Sequence, residues 1–252
     1  MKNKALLLSL SGVLLSGAAQ ADTLLGVYLG ADGWQSAVTG SFANSEQLQR
    51  FNFNDKTQTS YYVALEHPLP LLPNIRLQHN ALEAQGNTTL NANFNFAGDS
   101  FAASSTLRNG VDLTNTDYIL YYEIVDNDLL SLDLGLNAKY IKGSVAVADT
   151  ANSGAVGVQR ASQLMPMLYS AAMIGLPLTG LDIFAQGSVI SYDGSHVYDA
   201  QAGLAYAVLD NLAIDLRVKV GYRAVELQLD DIDDLYANID FTGVFAGVEL
   251  HF

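Results

Sequence analysis

Residues Gly243–Phe252 read GVFAGVELHF, and every second residue is apolar: Val244, Ala246, Val248 and Leu250, with Glu249 and His251 between them. Successive side chains of a β-strand point to opposite faces, so this stretch predicts a strand with one apolar face and one wetter face. The same period recurs through the chain. Its cleanest instance is 130–142, where Leu130, Leu132, Leu134, Leu136, Ala138 and Tyr140 alternate with Ser131, Asp133, Gly135, Asn137 and Lys139. Half of the residues are hydrophobic and only 15% are charged. Beyond the N-terminal leader, no uninterrupted apolar run reaches the ~18 residues of a membrane-crossing helix. Apolar residues spread by alternation, not gathered in blocks, are what a transmembrane β-barrel needs.

Extending the reading outward predicts ten strands, over 23–36, 59–67, 74–85, 117–125, 130–142, 161–176, 181–192, 197–208, 212–227 and 236–252. Leu25, Val27 and Leu29, then Tyr61, Val63 and Leu65, then Ile75 and Leu77, and Tyr118, Leu120, Tyr122 and Ile124 fall on the lipid face; so do Leu181, Ile183 and Val189, and Ile214, Leu216, Val218, Val220 and Tyr222. Connections after the even-numbered strands are short. Those after strands one (37–58) and three (87–112) are long and polar, and those after five, seven and nine are intermediate. Short turns at one end and longer loops at the other are typical of outer-membrane barrels, the short end being periplasmic. The expected fold is therefore all-β, a transmembrane antiparallel up-and-down barrel of about ten strands, with eight and twelve also compatible. A soluble sandwich or lipocalin-like barrel shows the same alternation. It wants its polar face outward, whereas here Gly, Asp, Lys, Arg and Gln share the face that suits a small wet lumen.

The N-terminus has Lys2 and Lys4, an apolar run from Ala5 to Leu15, and Ala19-Gln20-Ala21. This is the layout of a cleaved export signal, so residues 1–21 are expected to be a signal peptide and 22–252 one barrel domain. The chain has no Cys, which excludes disulfides and thiol chemistry. Its formal charge is −14, and loss of Lys2 and Lys4 makes it more acidic. Nucleic acid is excluded as a partner, because it needs clustered Lys and Arg. Thirteen Tyr and ten Phe are enough to furnish aromatic girdles at the two membrane interfaces.

Two resemblances agree with this. Gly247, Leu250 and the final Phe252 resemble the C-terminal sorting signal of bacterial outer-membrane barrels, with Phe245 where that signal usually carries a polar residue. The segment YYVALEHPLPLLPNIRLQ, Tyr61–Gln78, resembles the hallmark of a little-characterised family of proteobacterial outer-membrane β-barrel proteins. Its members also carry a signal peptide, an opening strand like DTLLGVYLGADGW and a C-terminal Phe. The resemblance implies a Gram-negative outer-membrane location, with lipid and lipopolysaccharide as surroundings and the barrel-assembly machinery as partner during biogenesis. It implies no activity and no cofactor. The three prolines of the turn fix φ and remove backbone donors, which ends both ladders.

The inward positions predicted by parity include Glu66, Arg76, Asp117, Glu123, Asp133, Lys139, Asp182, Asp199, Asp215, Arg217, Lys219, Arg223 and Glu249. A lumen ion-pair network is expected from them. Glu66 would pair with Arg76. Asp117, Glu123 and Asp133 would gather near Lys139, and Asp215 and Glu249 near Arg217 and Lys219. The other reading of these charges is an ion-selective eyelet. His196, beside Asp193, Ser195 and Asp199, is the only candidate for hydrolytic chemistry, and it lacks a second acidic pair at useful spacing. Asp230, Asp231, Asp233 and Asp234 offer hard oxygen ligands for weak divalent-cation binding, without the spacing of a calcium loop. Phe51, Phe53, Phe94 and Phe96 alternate with Asn in the two long connections, as either an exposed apolar patch or a ribbon packing its own aromatics. No catalytic, cofactor or metal site is assigned. The leading expectation is a non-enzymatic structural or surface-interaction barrel with a plugged or narrow lumen. A narrow porin-like channel and an outer-membrane hydrolase are the alternatives.

Overall fold

A computed structural model describes residues 25–252 apart from 70, 128, 193, 212, 213 and 233. The signal-peptide assignment and two of the loop aspartates, 193 and 233, therefore lie outside the described residues. The described chain forms strands and turns: β1 (Gly26–Ala43), β2 (Gln49–Asn52), β3 (Lys56–Glu66), β4 (Asn74–Asn80), β5 (Glu83–Thr89), β6 (Phe94–Phe96), β7 (Asp99–Phe101), β8 (Thr106–Asp112), β9 (Asn115–Asp126), β10 (Leu130–Asp149), β11 (Val156–Leu176), β12 (Leu181–Tyr192), β13 (Ser195–Leu209), β14 (Asp215–Ile232) and β15 (Leu235–His251). Ten of these close a barrel in the order β1-β3-β4-β9-β10-β11-β12-β13-β14-β15, and β15 returns to β1 antiparallel from Tyr28↔His251 to Ala43↔Tyr236. Closure leaves no open edge at membrane height, which backbone groups in lipid require.

In the lower half the alternation works as the sequence predicts. Along β14, Leu216, Val218, Val220 and Tyr222 face outward while Arg217, Lys219 and Arg223 face the lumen. On β15, Val244 and Val248 are exposed outward opposite the inward Phe245 and Glu249. An apolar belt of this kind around a closed barrel is the exterior of an outer-membrane protein, and the chain is one. The lower ends of β3 and β4, β9 and β10, β11 and β12, and β13 and β14, each pair joined by a short connection, lie together at the end taken as periplasmic.

Above the belt the pattern inverts. Upper β14 buries Val225, Leu227 and Leu229 and turns Glu226 and Gln228 outward; upper β15 buries Leu235, Ala237, Ile239 and Phe241 and turns Asn238 and Asp240 outward. This crown is built like a water-soluble barrel, and it corrects three expectations. Residues 37–58 are not a loop: they are upper β1, β2 and the start of β3. Residues 87–112 supply most of β5 to β8. The expected strand 74–85 is two elements, since β4 ends at Asn80 and β5 leaves the barrel wall to pair with β8. The intermediate connections also shrink, to 150–155, 193–194 and 233–234, because the strands run on. The physical reason is common to all three. Beyond the lipid, apolar residues switch to the inward parity, so a search for an outward apolar face ends each strand too early.

The crown's interior is continuous with an aromatic cluster from the former long connections. Phe42 stacks on Phe51 at 4.1 Å, Phe96 lies 5.2 Å from Phe42, and Phe94 reaches both Phe51 and Phe101. All five rings are buried, so the ribbon reading of these phenylalanines holds and the exposed-patch reading does not. Phe53 is partly buried against the same cluster. The wall is lowest at the β12–β13 hairpin. The β11–β12 ladder stops at Leu168↔Val189, two residues short of Pro166, whereas the β10–β11 ladder continues to Ala148↔Val156. Proline has no donor for a ladder.

Candidate functional site

All thirteen side chains predicted to face inward lie on the inward parity of their strands. Their heights differ, and they form two layers beneath the crown.

The upper layer closes the barrel at mid-height. Lys139 on β10 meets Asp117 on β9 at 2.8 Å and Asp199 on β13 at 3.2 Å. Arg223 on β14 grips both oxygens of Asp199, Nε to Oδ1 at 2.9 Å and Nη2 to Oδ2 at 2.8 Å. Amides complete the layer. Asn80 donates to Asp117 at 2.8 Å and accepts from Arg223 at 2.9 Å; Asn137 donates to Asp117 at 2.7 Å; Asn115 accepts from Lys139 at 3.0 Å. Two carboxylates and two cations balance, and their side chains are 2–12% exposed. Buried charges persist only when paired and hydrogen-bonded in this way. Above them the Arg223 guanidinium lies 5.1 Å over the Trp34 ring, where the apolar crown begins.

The lower layer surrounds a cavity of about 620 Å³ that reaches the short-turn end, where Asp126, Asn127 and Leu129 line it. At its floor the Arg76 guanidinium lies 3.6 Å over the Tyr62 ring and donates to Gln78 at 2.9 Å and to Gln186 at 3.4 Å. The Tyr62 hydroxyl bonds Glu249, and Lys219 pairs with Asp32 at 3.3 Å and Glu249 at 3.8 Å. Two glycines make room here. A Cβ on Gly30 would collide with the Tyr62 ring, and one on Gly247 with the Asp32 carboxylate. Gly247 thus has a packing reason of its own, apart from its place in the expected sorting signal. Of the other two members of that signal, Leu250 faces outward on β15, and Phe252 exchanges backbone hydrogen bonds with Val27.

The expected pairings are corrected in part. Glu66 does not pair with Arg76: the register sets Ala64 opposite Arg76, and Glu66, nearer the mouth, accepts from Tyr121 at 2.8 Å. Glu123 and Asp133 do not approach Lys139. They face each other across β9 and β10 near the mouth, six residues from Lys139 along β10, or roughly 20 Å at strand rise. Asp215 pairs with His251 at 3.2 Å, and Arg217 sits 3.8 Å from both Asp182 and Glu249. Residues the sequence reading did not single out, above all Asn80, Asn115, Asn137 and Tyr62, carry much of the network. Parity places each of them inward, but amides and tyrosines leave no charge signal to mark them.

His196 lies in strand β13, not in a loop, and its Nε2 is 2.7 Å from Glu226 on the outer crown wall. Asp199, expected beside it, faces the lumen instead. Ser195 Oγ accepts the backbone N–H of Asp230. Asp230 and Asp231 lie near the upper end of β14, which closes at Ile232, and Asp234 directly precedes β15. Among the described residues, no group of three or more His, Asp or Glu is arranged to hold a metal ion.

No protein-family model matches the chain, and no curated protein does. Solved structures of similar strand arrangement include the outer membrane protease OmpT from Escherichia coli, with 10% identity, a TM-score of 0.44, and coverage of 89% of this chain and 96% of that one. The transport unit of the autotransporter AIDA-I from Escherichia coli has 8% identity, a TM-score of 0.42, and coverage of 92% and 90%. The attachment invasion locus protein Ail of Yersinia pestis has 10% identity, a TM-score of 0.33, and coverage of 90% and 99%. No activity is carried over from any of them.

Proposed function

We propose that this outer-membrane barrel is non-enzymatic and non-conducting, and serves as a structural or surface-interaction protein that holds a rigid crown above the outer leaflet. The observation that carries the reading is the double closure of the lumen. A charge-balanced layer around Lys139, Asp117, Asp199 and Arg223 spans the barrel, and an apolar core led by Phe42, Ile239 and Phe241 fills the space above it. A conducting pore needs a continuous water path, and ten-stranded barrels are narrow enough for side chains to fill. The His196–Glu226 pair supports the non-enzymatic reading, since neither residue lines the cavity at the short-turn end or the smaller apolar pocket lined by Leu113, Ile141 and Leu229 in the crown. In this reading lipid and lipopolysaccharide surround the belt, and the barrel-assembly machinery inserts it. Planar-bilayer recording of the refolded protein tests closure. No discrete conductance steps are expected, and reproducible steps overturn the closed reading in favour of a narrow channel. Intact lipid and peptide substrates after incubation are the expected outcome for catalysis, and turnover of either overturns the non-enzymatic part.

A further inference from the structure

The vestibule below the plug is not explained by closure alone. A barrel that needs only to be sealed gains nothing from a cavity of about 620 Å³ beneath the seal. Its charges are also sorted by depth. Arg76, at the floor, is 9% exposed and has no ion pair with a carboxylate among the described residues; its acceptors are the oxygens of Gln78 and Gln186. Every other buried cation of the lumen has a carboxylate partner. At the rim the relation reverses. Glu66, Glu123, Asp126 and Asp133 form no ion pair with Lys, Arg or His among the described residues, and Asp133 Oδ1 is buried without a hydrogen bond.

A buried cation without an anion is costly, and four carboxyls gathered at one mouth without a cation repel one another. Together they describe a ligand with a carboxylate at its deep end and an amine at its outer end. A polyamine would place an ammonium against Arg76 and Lys219. A simple carboxylate would have to pass the acidic rim and leave it unanswered. A metal ion finds no converging ligand set among the described residues. The spacing sets the length. Arg76 lies opposite Ala64 and Ile119. Glu66 and Glu123 are therefore two and four residues further toward the mouth on their own strands, about 7 and 14 Å along the strand and about 5 and 11 Å in depth at barrel tilt. A free amino acid is too short for this. An extended chain spans up to about 3.6 Å per residue, which suits two or three residues. Tyr28, Tyr121 and Tyr169 line the wall between the two ends, supplying aromatic faces and hydroxyls for a peptide backbone.

We propose that the vestibule binds a di- or tripeptide entering from the short-turn end, its C-terminal carboxylate on Arg76 and its free amine on Glu66 and Glu123. The proposal goes beyond the reading of a closed barrel and rests on it only for the side from which the peptide comes. The test is isothermal titration of the folded, detergent-solubilised full chain with tri-alanine, N-acetyl-tri-alanine and tri-alanine amide. Free tri-alanine is expected to bind, and blocking either terminus to weaken binding at least about tenfold, the effect of losing one charge-assisted contact. Glu123→Gln, at an exposed rim position, leaves the fold intact by heat-modifiable gel mobility. It is expected to weaken the free peptide and leave the N-acetyl peptide unaffected. No heat from free tri-alanine, or equal affinity for free and blocked peptides, overturns the proposal. Conductance steps would sink the closed reading without altering these affinities, so the two failures are distinguishable.

Discussion

The belt and the crown share the same strands and follow opposite rules. On β14 the outward residues run Leu216, Val218, Val220, Tyr222 and then Glu226 and Gln228, while the inward ones run Arg217, Lys219, Arg223 and then Val225, Leu227 and Leu229. No bend or bulge marks the switch: β14 and β15 keep one register from Asp215↔His251 to Leu229↔Ala237. The backbone does not care which side is wet. Solvent decides, because burying apolar area away from water stabilises the crown from inside while lipid covers the belt from outside. The polar layer around Lys139 is the seam between the two regimes, where neither solvent reaches.

The seam should be the most sensitive point. Asp199→Ala leaves Lys139 with one carboxylate and Arg223 with none of its two-oxygen grip. Removing one partner of a buried network costs about 3–5 kcal/mol, measured as the urea midpoint of the barrel refolded in lipid vesicles. A loss below 1 kcal/mol would mean that the layer is hydrated and the lumen not closed there. Phe241→Ala, at a fully buried crown position, is expected to cost about 3–5 kcal/mol as well. Here the two regions should part company. Surface protease should cut the crown while heat-modifiable mobility of the belt remains. Simultaneous loss of both would show one cooperative unit.

The same substitution on one face of one strand separates the two regimes more sharply. Val220 and Gln228 both point outward from β14, eight residues apart. Val220→Arg is expected to destabilise insertion by about 2–4 kcal/mol if it sits at mid-bilayer depth. Gln228→Arg, in water, should stay within about 0.5 kcal/mol. Equal penalties would place the membrane boundary higher than the inversion of the pattern does.

Side-chain parity was legible throughout. Every charged residue assigned inward from the alternation is inward, down to Glu249 beside the outward Val248 and Leu250. Height was not legible. Parity says which face a side chain takes, but pairing depends on the stagger between neighbouring strands, which barrel closure fixes globally. That is why Glu66 misses Arg76 by two residues, and why parity alone sets Asp133 near Lys139 when it belongs at the mouth. The crown was missed for a different reason. Its strands carry the alternation, as in Val38, Gly40 and Phe42, but in the inverted sense, and a reading tuned to lipid ended at the last outward apolar residue. Pro166 inside β11 was likewise silent, since an outward proline beside an ended ladder looks in sequence like any other belt residue.

The smallest expected effect tests the crown's outer wall, where water should be the solvent. Tyr198, Glu226, Asp240 and Thr39 lie in a row across four strands, with Glu226 and Asp240 directly opposite. Like charges facing across a ladder repel. Partial burial first, and Glu226 second, hold the Asp240 carboxyl above the ordinary carboxylate range, while the bond from Thr39 and the nearby His196 work against this. A folded-state value raised above the unfolded one means that the folded form holds the proton longer. Stability from this group is therefore full below the ordinary Asp range and is lost as pH rises through the raised value. Asp240→Asn should flatten that part of the stability curve, measured by urea midpoints from acid to neutral pH, and Glu226→Gln should flatten it less, because burial remains. If the wild-type midpoint instead rises across the same window and Asp240→Asn removes the rise, the carboxylate is stabilised in the folded state. The His196–Glu226 contact, at 2.7 Å, would then dominate the wall.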